Sequence, residues 1–384
     1  MQNFTYKNPV KIIFGKGSIK NIATEISKDK KVLILYGGGS IKKNGVYDQV
    51  IEALKGYQVF EFSGIEPNPH YETCMKAVEL IKKENIEFLL SVGGGSTLDA
   101  TKFIAAATLF VGDPWKIFSE HAEITAALPL GSIITLPATG SEMNNGGVIT
   151  KAETQEKLAF ASDFTFPQFS VLDPETTYSL PEKQIANGIV DTFVHVMEQY
   201  LTTGEDKALL QDCMAEAIAK TIVISGPLAL LNPTDYDVRA NVMWAAAWAL
   251  NGWINCGVEQ DWATHMIGHE ITALFGLDHG QTLAVIYPGI MEVMKDQKAK
   301  KISRLGKEIF EINEESDEKQ IGLTIKAVEH FFEKVGVKTH LSDYNLGDEA
   351  IEKVVSRLKG RGWKLGEKGN ITPEVVKQIL ELRK

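Results

Sequence analysis

Lys31-Val32-Leu33-Ile34-Leu35-Tyr36-Gly37-Gly38-Gly39-Ser40 decides how the rest of the chain reads. An apolar run of strand length stops at three glycines, and Ile41-Lys42-Lys43 follows. Phe88–Val92 (FLLSV) repeats the plan and ends in Gly93-Gly94-Gly95-Ser96-Thr97-Leu98-Asp99, which opens a helix expected over Leu98–Ala107. Gln58–Phe62 (QVFEF) and Ser132–Leu136 (SIITL) are further short apolar runs. Between them Tyr71–Lys83 carries apolar residues at helical spacing. Strands alternating with helices predict an α/β domain with a mostly parallel, Rossmann-like sheet, its ligands lying beyond the carboxyl ends of the strands.

Near Leu180-Pro181 the texture changes to long, Ala- and Leu-rich helical periodicities. Pro181 stands where a first helical turn begins, and Glu182 suits a helix N-terminus. The expected organisation is a dinucleotide-binding α/β domain over residues 1–181 and an all-α, metal-binding domain over 182–384.

The 384 residues are 44% hydrophobic and 23% charged, which excludes a disordered or collagen-like chain. Forty Lys plus Arg against 50 Asp plus Glu give a formal net charge of −10. Nucleic acid and anionic membranes both call for a positive field, so neither is expected as a partner. Cys74, Cys213 and Cys256 are odd in number and scattered, and Met1–Tyr6 shows no secretory pattern. Both points favour free thiols and a cytoplasmic location. Ala240–Val258 is uncharged over 19 residues, but it contains three Asn and two Gly and is expected as a buried helix rather than a membrane span.

The two glycine loops suit phosphate, since glycine lets backbone N–H groups approach an anion and a following helix adds favourable partial charge. Neither loop fits G-x-G-x-x-G, and no Walker A pattern occurs. No acid follows KVLILY where an NAD site would place one against the ribose. Ser40, Lys42 and Lys43 stand there instead, which favours NADP(H), with NAD(H) as the alternative. A solvated Lys pair on a helix face is the plainer account of those two lysines.

Four of the eight histidines lie between residues 195 and 279. Asp191 and His195 are four apart in the helical pattern Ala186–Tyr200, and His265 and His269 are four apart in Trp262–Leu274. Each pair therefore shares a helix face. His279-Gly280 follows the expected helix end at Gly276. One carboxylate with several imidazoles suits Zn²⁺ or Fe²⁺. His269-Glu270 is not followed by the second histidine of H-E-x-x-H, so a metalloprotease is unsupported.

The spacing H-x3-H-x9-H-G over His265, His269 and His279 resembles the signature of the iron-containing alcohol dehydrogenases. The D-x-x-x-H of Asp191 and His195, the two GGGS loops and Thr135-Leu136-Pro137-Ala138-Thr139-Gly140-Ser141-Glu142 resemble that family as well. The likeness is strongest to its NADPH-dependent butanol dehydrogenase and broad-range aldehyde reductase branch. It implies a dehydroquinate synthase-like architecture, a homodimer, and transfer of hydride between NADP(H) and a small aldehyde or primary alcohol. It also implies Asp191, His195, His265 and His279 as ligands of one divalent metal, with His269 beside the nicotinamide as a proton relay. Gly38, Gly39 and Ser40 would face the adenosine phosphate. Asn68, Gly94, Gly95, Ser96, Asp99, Thr135, Thr139, Ser141 and Lys157 would line the rest of the cofactor. The TLPATGSE segment is shorter than the family's usual form, which bears on Thr139 and Ser141.

Two rival readings remain at this point. A 3-dehydroquinate synthase-like lyase would need a cationic pocket for a polyanionic substrate, which the Trp-rich stretch over residues 244–262 disfavours. A non-catalytic protein would bind NADPH or metal without aldehyde-dependent turnover.

Overall fold

In chain order the strands are β1 (Lys11–Phe14), β2 (Lys31–Leu35), β3 (Gln58–Phe62), β4 (Phe88–Gly94), β5 (Leu130–Leu136), β6 (Gly146–Lys151), β7 (Glu156–Ala161) and β8 (Phe169–Leu172). Six of them form one parallel sheet in the order β1-β8-β5-β4-β2-β3. β6 and β7 pair separately as an antiparallel hairpin. The structure, a computed structural model, describes residues 1–202 and 208–384.

The apolar run of β2 faces two cores at once. Leu33 and Leu35 join Leu89, Leu98, Phe103 and Trp115 on one side, while Val32, Ile34 and Tyr36 join Ile19, Val50, Leu90 and Phe169 on the other. Burial on both faces removes any reason for the polar alternation of a half-exposed strand.

The helices of eight residues or more fall into two groups along the chain. Among the strands lie α1 (Val46–Ala53), α2 (Tyr71–Glu84) and α3 (Gly95–Leu109). Beyond residue 181 come α4 (Glu182–Tyr200), α5 (Leu209–Leu231), α6 (Tyr236–Ala249), α7 (Ala263–Phe275) and α8 (His279–Val293). α9 (Lys295–Phe310), α10 (Asp317–Lys334), α11 (Asp348–Arg361) and α12 (Pro373–Leu382) complete the chain.

Two compact units result: Lys7–Leu180 with Thr234–Ala247, and Met1–Tyr6 with Pro181–Pro233 and Trp248–Lys384. A single cut at residue 181 misses two exchanges. Most of α6 belongs to the sheet unit, where the Arg239 Nε donates to Thr177 Oγ1 at 2.9 Å and Trp244 meets Phe14 edge-on. The first six residues belong to the helical unit, where Tyr6 packs on Trp253 at 5.1 Å between ring centroids.

Ala240–Val258 is not one buried helix. α6 ends at Ala249 and the chain turns from there, with Asn251 Oδ1 accepting from the Trp253 N–H. Among the described residues the helix long and apolar enough to cross a membrane is α5. It carries Asp212 and Glu216, paired with Lys301 and Arg304 of α9, charges that a lipid-facing helix would have to neutralise.

Candidate metal centre and cofactor loops

Pro181 and Glu182 start α4, which then runs 19 residues and buries Asp191 and His195 on one face. α7 contributes His265 and His269 and stops at Gly276, whose φ of 73° suits a glycine terminator. Asp278 and Gln281 form a capping box that starts α8, making His279 its first residue. Gly280 then allows a close approach. A Cβ there would lie 2.6 Å from the Asn187 carbonyl oxygen and 2.7 Å from its Cα, one helical turn before Asp191. The H-G pair thus brings the start of α8 against α4 and His279 against Asp191.

Three imidazoles converge on one carboxylate oxygen. Asp191 Oδ1 lies 3.4 Å from His195 Nδ1, 3.6 Å from His265 Nε2 and 3.7 Å from His279 Nε2. Ligands about 2.0–2.2 Å from a tetrahedral ion are spaced roughly 3.3–3.6 Å apart, so the separations suit a divalent cation. Ligand atoms of Asp191, His195 and His265 all lie within 4.8 Å of one another. His265 Nε2 is buried and has no hydrogen-bond partner, as expected of a lone pair reserved for an ion. The donor set therefore fits a bound divalent metal.

His269 lies one turn beyond His265, its ring centroid 5.3 Å from that of His279 and 6.4 Å from that of His265. Glu270 takes no part; it is buried and paired with Arg357 and Arg361 of α11. Of the tryptophans between residues 244 and 262, Trp262 borders the cluster, 5.3 Å from the His265 ring.

A residue without any motif completes the surroundings. Glu198 of α4, 2% exposed, receives the N–H groups of Thr264 and His265 and faces His265 Nδ1. Burial alone would lower the His265 pKa, but Glu198 and Asp191 outweigh it and push it up to about 9. An imidazole ligates metal only when neutral, so loading the site displaces a proton. The sequence hint to Glu198 is its seven-residue spacing from Asp191, two turns along one face.

In the sheet unit the glycines divide by purpose. A Cβ on Gly93 would meet Thr97 Oγ1 at 2.5 Å, and one on Gly95 would meet Thr139 Oγ1 at 2.4 Å, so both are required by packing within the protein. Gly94 is nearly as confined, against Leu136. Gly38 and Gly39 face open space, as an anion-receiving loop requires, and Ser40 follows at the first turn of a short helix. Lys42 is already engaged: Glu61 accepts from it at 2.9 Å, and its ammonium lies 4.4 Å from the centre of the Tyr47 ring.

Asn68, Ser96 and Lys157 come together. The Asn68 N–H donates to Ser96 Oγ at 3.4 Å, and Lys157 Nζ donates to Asn68 Oδ1 at 2.9 Å. Thr135 is buried at the end of β5, and Thr139 Oγ1 accepts from the Ser141 N–H. Asp99 and Ser141 are bonded to each other and to neighbouring backbone. The Ser141 hydroxyl and Val148 N–H donate to the Asp99 carboxylate at 2.7 and 3.0 Å. Beneath them is Lys102, wholly buried, donating to the Ser141 carbonyl and hydroxyl, Asn144 Oδ1 and the Gly146 carbonyl at 2.7–2.9 Å. Its position within an apolar helix gives no pattern that sequence reading could use.

A parallel sheet with glycine loops and a helical unit bearing an aspartate ringed by histidines define a metal-dependent, nucleotide-binding enzyme. Comparison with known proteins narrows the class. Residues 9–174 match the family described as iron-containing alcohol dehydrogenase, and residues 185–382 match the Fe-containing alcohol dehydrogenase family, C-terminal. The NADPH-dependent aldehyde reductase YqhD of Escherichia coli (strain K12) is 51% identical over 99% of both chains. The NADH-dependent butanol dehydrogenase A of Clostridium acetobutylicum is 38% identical, covering 100% of this chain and 99% of its own. The crystal structure of E. coli K-12 YqhD superposes with a TM-score of 0.98 at 50% identity, over 100% of this chain and 99% of that one. NADH-dependent butanol dehydrogenase A from Thermotoga maritima gives 0.95 at 38% identity, with the same coverage. The chain belongs to the iron-containing alcohol dehydrogenase family.

Proposed function

We propose that the protein is an NADP(H)-linked aldehyde reductase and alcohol dehydrogenase using one divalent metal, Fe²⁺ or Zn²⁺. Its substrates are short-chain aldehydes and primary alcohols such as butanal and butanol. The observation that carries this reading is the convergence of His195, His265 and His279 nitrogens on Asp191 Oδ1.

Asp191, His195, His265 and His279 would hold the metal. When bound, the ion supplies Lewis acidity that polarises a carbonyl group, and the nicotinamide supplies the hydride. The rest falls to the side chains. Gly38, Gly39 and Ser40 receive the adenosine phosphate, and Asn68, Gly94, Gly95, Ser96, Asp99, Thr135, Thr139, Ser141 and Lys157 line the cofactor. Asp99 and Ser141, braced by Lys102, hold the segment that carries Thr139. His269 delivers a proton from its ring to the reduced oxygen. Trp262 covers one side of the histidine cluster and limits access of water.

A homodimer in the cytoplasm is part of the same proposal. The free thiols of Cys74, Cys213 and Cys256 support the location, and the net charge of −10 supports the absence of nucleic-acid and membrane partners. The deciding experiment follows NADPH oxidation with butanal, using chelator-stripped protein before and after Fe²⁺ or Zn²⁺ is restored. Turnover requiring both aldehyde and metal is expected. NADPH binding with no aldehyde-dependent oxidation under either metal would overturn the reductase reading.

A further inference from the structure

Glu198 has a place at the histidine cluster that the chemistry described so far does not use. It sits seven residues after Asp191 on α4, with its side chain 2% exposed. Both of its oxygens are committed to the start of α7. Oε1 accepts the Thr264 N–H, while Oε2 accepts the His265 N–H at 3.3 Å and contacts His265 Nδ1. Two backbone donors fix the carboxylate, and the fixed carboxylate holds one ring nitrogen of a single histidine. The other nitrogen, Nε2, points to Asp191 Oδ1 at 3.6 Å.

We propose that Glu198 is the positioning residue of the metal centre, holding His265 in the tautomer with hydrogen on Nδ1 and the lone pair on Nε2. The inference rests on the metal reading above. An acceptor-only carboxylate can face a ring nitrogen favourably only when that nitrogen carries hydrogen, so the contact selects the tautomer. It also makes Nε2 a better donor, as carboxylates behind metal-bound histidines generally do. Charge gives a second argument. Asp191 and Glu198 together carry two negative charges, which balance a divalent ion among neutral imidazoles. Glu198→Gln would leave the loaded site with one uncompensated positive charge in a buried place.

The test compares wild type with Glu198→Gln and Asp191→Asn, titrating Co²⁺ and Zn²⁺ against a chromophoric chelator. NADPH fluorescence and thermal melts of the metal-free proteins serve as controls. Expected for Glu198→Gln are a roughly 10- to 100-fold weaker metal affinity, an altered Co²⁺ visible spectrum and unchanged NADPH binding. A residue that merely caps α7 would lower the metal-free melting temperature and leave affinity and spectrum alone, and that outcome overturns the proposal. Should Glu198→Gln fail to fold, ¹⁵N-histidine spectra of the Zn²⁺-loaded wild type decide the matter. Hydrogen on His265 Nδ1 supports the role; hydrogen on Nε2 defeats it. If wild type and Asp191→Asn bind metal equally poorly, the metal reading itself fails, a result separate from any defect confined to Glu198.

Discussion

Ser40 is the residue at which cofactor choice becomes a question of one charge. It begins the short helix after the open Gly38-Gly39 turn, while the nearest basic candidate, Lys42, is held by Glu61. A carboxylate at position 40 would repel a 2′-phosphate and accept a ribose hydroxyl. Ser40→Asp should therefore lower the NADPH-to-NADH ratio of kcat/KM by at least about tenfold, or about 1.4 kcal/mol. An unchanged ratio would remove Ser40 from the specificity determinants. Glu142 gives a stability prediction of known sign. It is 1% exposed and its Oε1 has no hydrogen-bond partner. Burial pushes its pKa up to about 7, against the opposing pull of Lys102. Between about 4.5, where the unfolded chain ionises, and 7, the folded protein keeps a proton that the unfolded chain has lost. Stability must then fall as pH rises across that window, by about 3 kcal/mol once complete. Glu142→Gln should be little changed at pH 4.5 and melt about 5 °C above wild type at pH 8. Melting curves that stay parallel across the range would contradict the raised pKa.

Elements, rather than single side chains, set the distance between Asp191 and His279. Asp278 starts α8 by its capping box, and Gly280 lets that start rest on the Asn187 backbone. Gly268 gives α7 a similar approach to Thr282 of α8, where a Cβ would lie 2.8 Å from Oγ1. Gly280→Ala would insert a methyl group where backbone atoms already stand, so α8 must move. The expected result is a loss of about 1–3 kcal/mol in stability and a metal affinity at least tenfold weaker, with NADPH binding intact. Chelator competition on the folded variant checks it; full affinity would show that His279 is not needed at that distance. The same elements show what could be read beforehand. β4 and β5 each exceed their expected bounds by two residues, since doubly buried parallel strands announce themselves as apolar runs, while β3, a half-exposed edge strand, has the expected bounds through its alternating pattern. β1 and β8 went unread because each is four residues long and their pairing joins residue 11 to residue 169, outside any local window. Spacing marked Asp191, His195, His265, His269 and His279 as one cluster, and the family resemblance, rather than spacing, singled out Asp191, His195, His265 and His279 as the proposed ligands. Lys102 offered no pattern and Glu198 only its seven-residue spacing from Asp191, because each matters through what folding brings beside it.

For the molecule as a whole, the candidate ligands fall on different units. The glycine loops and the Asn68–Ser96–Lys157 cluster belong to the unit containing Lys7–Leu180. Asp191 and the histidines belong to the unit containing Pro181–Pro233 and Trp248–Lys384. A ligand that binds only folded protein adds stability by mass action, about 4 kcal/mol at a thousandfold excess over its Kd. It suppresses most strongly the local openings of the segments it joins. A metal ion would join three helices whose ligands span residues 191 to 279, whereas NADPH would join the loops after β2 and β4. Hydrogen exchange should therefore separate the two. Zn²⁺ alone should slow exchange in α4, at the start of α7 and in the first turn of α8, leaving residues 37–43 and 93–99 as they were. NADPH added to metal-free protein should slow those two loops. Asp191→Asn should abolish the Zn²⁺ effect while the NADPH effect persists, because the carboxylate removed lies at the metal centre and not at the glycine loops. Zn²⁺ protection of the glycine loops with none in α4 would instead mean that the ion binds elsewhere, and the assignment of the histidine cluster would fall with it.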